Sequence, residues 1–122
     1  KARCGDCGMV DEHLDDIAPD HVCSHCGAHG TWRPHVVWFG EMPLEMERIY
    51  QALDKCGMFI SIGTSGNVYP AAGFVQHVSM ANGPRTVELN MEPSEGASLF
   101  AEAQYGPATK LVPQFVDGLL RD

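Results

Sequence analysis

The sequence reads as an α/β protein, part of a doubly wound parallel sheet preceded by a small metal-stapled module. Three features carry that reading. Two Cys-x-x-Cys pairs, Cys4/Cys7 and Cys23/Cys26, sit in a head of the chain with almost no periodic apolar pattern. Beyond Pro34, short β-prone runs alternate with stretches of helical apolar spacing, an order that gives right-handed crossovers and parallel strands. The chain has 122 residues, 44% of them apolar and 20% charged, which suits one domain or a piece of one.

The head comes first. Residues 1–34 hold four of the five cysteines, four of the six histidines and six acids. A stretch that short cannot bury enough apolar surface to fold unaided. Fifteen residues separate the two thiol pairs, and each pair brings two sulfurs close enough to share one tetrahedral ion. Glycines beside the cysteines (Gly5, Gly8, Gly27) suit tight turns whose amides face the sulfurs. Two disulfides or a redox site are the rival readings, and the spacing favours structural zinc on Cys4, Cys7, Cys23 and Cys26. Four thiolates close the coordination sphere, so such a metal holds structure rather than performing catalysis. His21, His25 and His29 are then exposed or capping imidazoles, and Cys56 is a buried free thiol.

The remaining elements follow in order. Val36-Val37-Trp38-Phe39 is a β-prone run stopped by Gly40. Pro43 opens a helix with Met46, Ile49, Tyr50 and Leu53 on one face, ended near Gly57. Met58 to Ile62 is a buried strand, and Gly63-Thr64-Ser65-Gly66 is its turn. Pro70 starts a second helix through Ala71, Phe74, Val75 and Val78, broken at Asn82-Gly83-Pro84. Thr86 to Leu89 is a further strand, and Ala97 to Ala103 is expected to be helical. Val112, Phe115, Val116 and Leu119 mark a last helix, with Pro113 in its first turn. Three short strands make a thin sheet, and parallel sheets need both faces covered. Either further strands complete it or core surface is exposed.

Composition excludes several functions. Sixteen acids against eight bases give a charge of −8, which argues against nucleic acid and leaves lysine-rich segments acceptable as partners. Apolar runs as short as Met58-Phe59-Ile60 provide no membrane span, and the first residues show no export signal. A cytoplasmic setting is expected.

Two turns invite a ligand. Gly63-Thr64-Ser65 follows a strand and precedes a helix, where open α/β sheets bind ligands and a helix N-terminus favours an anion. Many such turns bind nothing, and both readings stand. Glu88-Leu89-Asn90 ends the next strand, where a carboxylate or amide would meet a ribose hydroxyl, or where Asn90 is only a turn residue. Trp38-Phe39-Gly40-Glu41 is either a peptide-binding edge or the end of a core strand.

Taken together these segments resemble the sirtuin family, NAD-dependent protein-lysine deacylases. The resemblance runs through both thiol pairs, Arg33-Pro34-His35-Val36-Val37-Trp38-Phe39-Gly40-Glu41, and Gly63-Thr64-Ser65-Gly66-Asn67-Val68-Tyr69-Pro70-Ala71-Ala72-Gly73. It continues through Val87-Glu88-Leu89-Asn90-Met91-Glu92 and Tyr105-Gly106-Pro107-Ala108 to the final apolar helix. The wording is similar to the bacterial and mitochondrial branch. The resemblance implies a zinc-binding module over 1–34 and the C-terminal part of a Rossmann-like NAD-binding domain over 35–122. It implies zinc on the four cysteines, and acyl-lysine substrate along Val37, Phe39, Gly40 and Glu41 as an added strand. It also implies NAD against Gly63, Thr64 and Ser65, with Asn90, Met91 and Glu92 around the adenosine ribose and Ala108 at the adenine.

Nothing in the sequence matches the family's Gly-Ala-Gly loop, its Gln-Asn-x-Asp segment or its catalytic histidine. In the family that histidine lies a few residues before the first zinc cysteine, and here only three residues precede Cys4. His35 matches a different segment, so no catalytic residue is assigned. The expectation is the C-terminal portion of a deacetylase or desuccinylase, inactive alone and partnered by the missing N-terminal half. The alternative is a non-catalytic zinc-ribbon joined to a nucleotide- or protein-binding module.

Overall fold

Both thiol pairs close the same kind of turn. The Gly8 amide donates to the Cys4 carbonyl at 3.1 Å, and the Gly27 amide to the Cys23 carbonyl at 2.8 Å. Both glycines are left-handed, with φ of 75° and 74°, a conformation glycine adopts without a Cβ clash. These turns belong to the first of two units in the computed structural model, which describes residues 1–80 and 83–121. The units are Lys1–Leu44 and Glu45–Asp122.

In the first unit three short strands, β1 (Ala2–Cys4), β2 (Val10–Asp11) and β3 (Trp32–Pro34), form an antiparallel sheet in the order β2-β1-β3. Cys4 stands opposite Trp32, and Arg3 opposite Arg33. A bridge between Val22 and His29 holds the second thiol turn. The strand expected at Val36–Phe39 does not form; the β structure lies just before it, at β3. Apolar character there reflects exposure rather than a core, since Trp38 and Phe39 are 58% and 96% exposed. The 36–41 segment instead bends back, the Glu41 amide donating to the Trp38 carbonyl at 3.0 Å.

The second unit begins with α1 (Met46–Leu53), which buries Leu53 and ends as the Asp54 amide bonds back to Tyr50. Next come β4 (Met58–Ile62), α2 (Phe74–Met80, entered through a 3-10 turn at Ala71–Gly73), β5 (Arg85–Asn90), β6 (Glu102–Tyr105) and α3 (Ala108–Leu119). The strands pair in parallel in the order β4-β5-β6. β5 is central, and its alternation assigns both faces: Val87 and Leu89 pack with Phe115, Met58, Val112 and Leu119, while Thr86 and Glu88 point the other way. Tyr50 meets Phe74 edge-on at 5.8 Å, and the His77 ring lies 2.7 Å from the Asp54 carboxylate, tying α1 to α2.

Several expectations need correcting here. Ala97–Ala103 is a 3-10 turn at Ala97–Leu99 followed by strand β6, because the Ala101 amide is taken by the Thr86 hydroxyl at 2.9 Å and Arg85 forks onto Glu102 at 2.6 and 2.8 Å. α3 starts four residues earlier than Val112, nucleated by the Lys110 and Leu111 amides on the Pro107 carbonyl, so Pro113 lies inside it. β4 is not buried: Ile60 and Ile62 are 37% and 47% exposed, and its outer edge is unpaired among the described residues. Cys56 is half-buried, its thiol donating to the Leu53 carbonyl at 3.2 Å. Asn82, expected to break the second helix, lies outside the described residues.

Gly30 gives the first unit a sharp test. Its φ is +64°, and a Cβ there would stand 2.7 Å from the Pro19 carbonyl oxygen. Gly30→Ala should destabilise the first unit by about 1–3 kcal/mol. Denaturant unfolding followed by tryptophan fluorescence measures this through Trp32, which lies in that unit's sheet.

Candidate functional site

Four sulfurs converge in the first unit. The ligand atoms of Cys4, Cys7, Cys23 and Cys26 all lie within 4.8 Å of one another. Cys4 Sγ is 3.7 Å from Cys26 Sγ, and Cys7 Sγ is 3.8 Å from Cys23 Sγ. A disulfide needs about 2 Å between sulfurs. Four sulfurs about 2.3 Å from one tetrahedral zinc stand about 3.8 Å apart. The thiols therefore fit zinc and are not disulfides. The histidines stay out of the cluster: His25 and His29 are exposed, and His21 packs on Trp32 at 4.7 Å between ring centres.

The thiols share charge unequally. The Thr31 hydroxyl, 3.2 Å away, and then the Cys7 amide draw Cys4 down to about 6. The Cys26 amide chiefly lowers Cys23. At Cys26 the Ala28 amide lowers the value, but desolvation and the neighbouring sulfurs outweigh it, pushing the thiol to about 12. Cys4 and Cys23 thus carry charge more readily than Cys7 and Cys26. A divalent cation resolves that conflict, because it neutralises several thiolates at once.

In the same unit the expected substrate residues Val37, Phe39 and Gly40 are exposed, whereas Glu41 is half-buried in an ion cluster. Its Oε1 accepts from Arg33 at 2.5 Å and Arg3 at 3.1 Å, and its Oε2 from Arg33 and the Trp38 amide, each at 3.0 Å. Arg33 foremost, then the Trp38 amide, holds the Glu41 carboxyl down to about 2.

In the second unit the C-terminal ends of the parallel strands form a cleft of about 340 Å³. Six of the seven expected NAD residues line it: Gly63, Thr64, Ser65, Asn90, Met91 and Glu92. Ala108 is not among its walls, although it opens α3 just beyond Gly106, whose amide donates to the Asn90 carbonyl at 2.8 Å. Asn90 braces the cleft. Its amide nitrogen donates to the Thr64 carbonyl at 2.7 Å, and its oxygen accepts from the Met91 amide at 3.0 Å. The Gly63 amide donates to the Leu89 carbonyl, and the Glu95 amide to the Ser65 carbonyl, each at 3.0 Å.

Two details of the sequence reading change. The Gly63–Ser65 turn does not run into a helix N-terminus, since α2 starts only at Phe74; what it offers is three exposed residues, Gly63, Thr64 and Ser65. Glu88 is 1% exposed and meets no ribose, because its carboxylate accepts from the Ser94 amide at 3.3 Å and the Tyr105 hydroxyl at 3.1 Å. Pro93, Ser94 and Glu95 also line the cleft and were missed, although Pro93-Ser94 after a strand is itself a turn signal. An adjoining apolar pocket of about 280 Å³, walled by Phe59, Phe74, Val75 and Phe100, has no sequence signature beyond those side chains.

The model of the Sir2 family matches residues 1–70, more than half of the chain. The chain belongs to the Sir2 family. It is 53% identical over 121 residues to the NAD-dependent protein deacylase of Escherichia coli (strain K12), covering 99% of this chain and 43% of that protein. This Sir2 chain thus spans less than half the length of the relatives it matches first. Its fold superposes on a crystal structure of a Sir2 homologue–NAD complex with a TM-score of 0.82 and 27% identity, over 98% of this chain and 47% of that one. It shares the fold of a Sir2 bound to acetylated peptide, with a TM-score of 0.79 and 18% identity over 96% and 51% of the two chains. Among the described residues no helix is long and apolar enough to cross a membrane.

Two outcomes are expected. Protein purified without added metal should carry about one zinc per chain by elemental analysis, and chelation should melt the β1–β3 sheet; a metal-free first unit with native amide protection would refute the assignment. Glu41 sets a second. Its folded value, about 2, lies below the ordinary 4.5, so its stabilisation is fully present above that ordinary value and is lost as pH falls toward the folded one. The acid limb of unfolding should therefore be flatter in Glu41→Gln than in the parent, zinc loss being common to both.

Proposed function

We propose that this chain contributes the zinc module, the substrate segment and the adenosine end of the NAD cleft to an NAD-dependent protein-lysine deacylase working in the cytoplasm. In that reaction the lysine amide oxygen attacks the NAD ribose as nicotinamide leaves, and one water then cleaves the adduct to free lysine and O-acyl-ADP-ribose. The observation that carries the reading is the cleft at the strand ends. Six residues chosen for NAD from sequence line one cavity, beside the C-terminal ends of parallel strands where α/β sheets take nucleotides.

The residues have distinct roles in this reading. Gly63, Thr64 and Ser65, exposed at the turn, meet the phosphates and the nicotinamide-side ribose. Asn90 orders the cleft by joining two loops and, with Met91 and Glu92, surrounds the adenosine ribose; Ala108 meets the adenine. Val37, Phe39, Gly40 and Glu41 line the acyl-lysine site and pair with the peptide through backbone groups. Four thiolates hold zinc away from the chemistry. The general base and the diphosphate loop come from the part of the enzyme outside these residues, so the chain alone is inactive. A non-catalytic module gains no support from a chain that matches deacylases across both of its units.

The test is NAD-dependent deacylation of acetyl- and succinyl-lysine peptides by the chain alone, then with the N-terminal half supplied separately. A positioned base contributes roughly 10²–10⁴-fold, so activity should emerge only on complementation. In the complemented enzyme Asn90→Ala should raise the Michaelis constant for NAD up to about tenfold and spare that for peptide. Turnover by the chain alone would refute the division of roles, and equal effects of Asn90→Ala on both substrates would refute its place in the NAD cleft.

A further inference from the structure

Glu41 was expected in the segment that pairs with substrate through its backbone, and its carboxylate is fully engaged within the protein. A carboxylate offers about four lone-pair sites, and two contacts from Arg33, one from Arg3 and one from the Trp38 amide occupy them. Arg33 also donates to the Val36 carbonyl at 2.9 Å and stacks 3.6 Å over the Trp38 ring. One guanidinium and one carboxylate thus hold the 36–41 segment, which lies in no strand and exposes Val36, Trp38 and Phe39.

The far side of this cluster is the metal-stapled sheet. Arg3 and Arg33 face each other directly across β1 and β3, next to Cys4 and its partner Trp32. Like charges directly opposite repel, and Glu41 is the counter-charge between them. The carboxylate therefore joins a sheet in which Cys4 pairs with Trp32 to a segment that lies in no strand.

We propose that Glu41 is a positioning residue, which through Arg3 and Arg33 latches the 36–41 segment onto the zinc sheet in the conformation that receives an acyl-lysine peptide. This rests on the reading of that segment as the peptide site. The carboxylate itself touches no substrate. Peptide affinity then depends on the ion cluster, and the metal acts on the peptide only by holding β1 against β3.

The full-length protein carrying Glu41→Gln tests this, since the amide keeps the shape and removes the counter-charge. Hydrogen exchange of the Trp38 and Glu41 amides should speed up by about tenfold, and the Michaelis constant for acyl-lysine peptide should rise by about the same factor. Zinc content should stay at about one per chain, while kcat and the Michaelis constant for NAD move by less than about twofold. Arg33→Lys, which keeps the charge and loses the fork, should shift the same readouts less; it decides the matter if Glu41→Gln loses its metal. Unchanged exchange would overturn the latch whatever the kinetics. Faster exchange with an unchanged peptide constant would overturn the proposal through the reading beneath it, because a loosened segment would then be irrelevant to peptide. Equal rises for peptide and NAD would also overturn it, as a general folding defect.

Discussion

Among the described residues of the first unit only Ala2, Cys4 and Cys23 are buried, so two of its three core side chains belong to the four-thiol cluster. A unit of that size with no aliphatic core owes its shape to whatever draws the sulfurs together. The convergence fixes Cys4 beside Trp32, which sets the register of β1 on β3, and the register places Arg3 opposite Arg33. That juxtaposition needs a carboxylate, which Glu41 supplies from the end of the unit.

The second unit follows a different logic, centred on β5. Its four consecutive buried residues serve both faces: Val87 and Leu89 give α3 a surface to pack on, while Thr86 and Glu88 pin the connections that return to the sheet. A buried carboxylate in a central strand is tolerated because an amide and a phenol satisfy it. Desolvation, and secondarily the facing Glu88, raises the Tyr105 hydroxyl above its usual range, so it remains a donor. With the strands fixed, the loops at their C-terminal ends have nowhere to go but toward one another, and the cleft is what remains between them.

Much of this was legible in the residues and some was not. Thiol spacing gave the four-sulfur cluster because ligand geometry tolerates few arrangements. Apolar spacing found α1, α2 and α3, and the runs at Met58 and Thr86 located β4 and β5. β6 escaped because Glu-Ala-Gln-Tyr is exposed throughout and has no apolar alternation to reveal it; it exists because β5 and an Arg85–Glu102 fork hold it. The opposite error arose at Val36–Phe39, where apolar residues lie on the surface. Glu41 was picked out for its neighbours, and its actual partners, Arg3 and Arg33, are far apart in sequence and meet only through the pairing of β1 with β3. Short-range patterns cannot carry that information.

The parallel pairing of β4, β5 and β6 bears on how the protein is made. Parallel neighbours cannot close through a hairpin, so β4 must await a helix and a second strand before it gains a hydrogen-bonded partner on that side. At ordinary synthesis rates that delay is on the order of seconds. Throughout it, the run Met58-Phe59-Ile60-Ser61-Ile62 is a charge-free, β-prone segment emerging from the ribosome. Chaperone occupancy and translation speed over the following helix thus bear on the yield of folded protein, quite apart from how stable the finished sheet is.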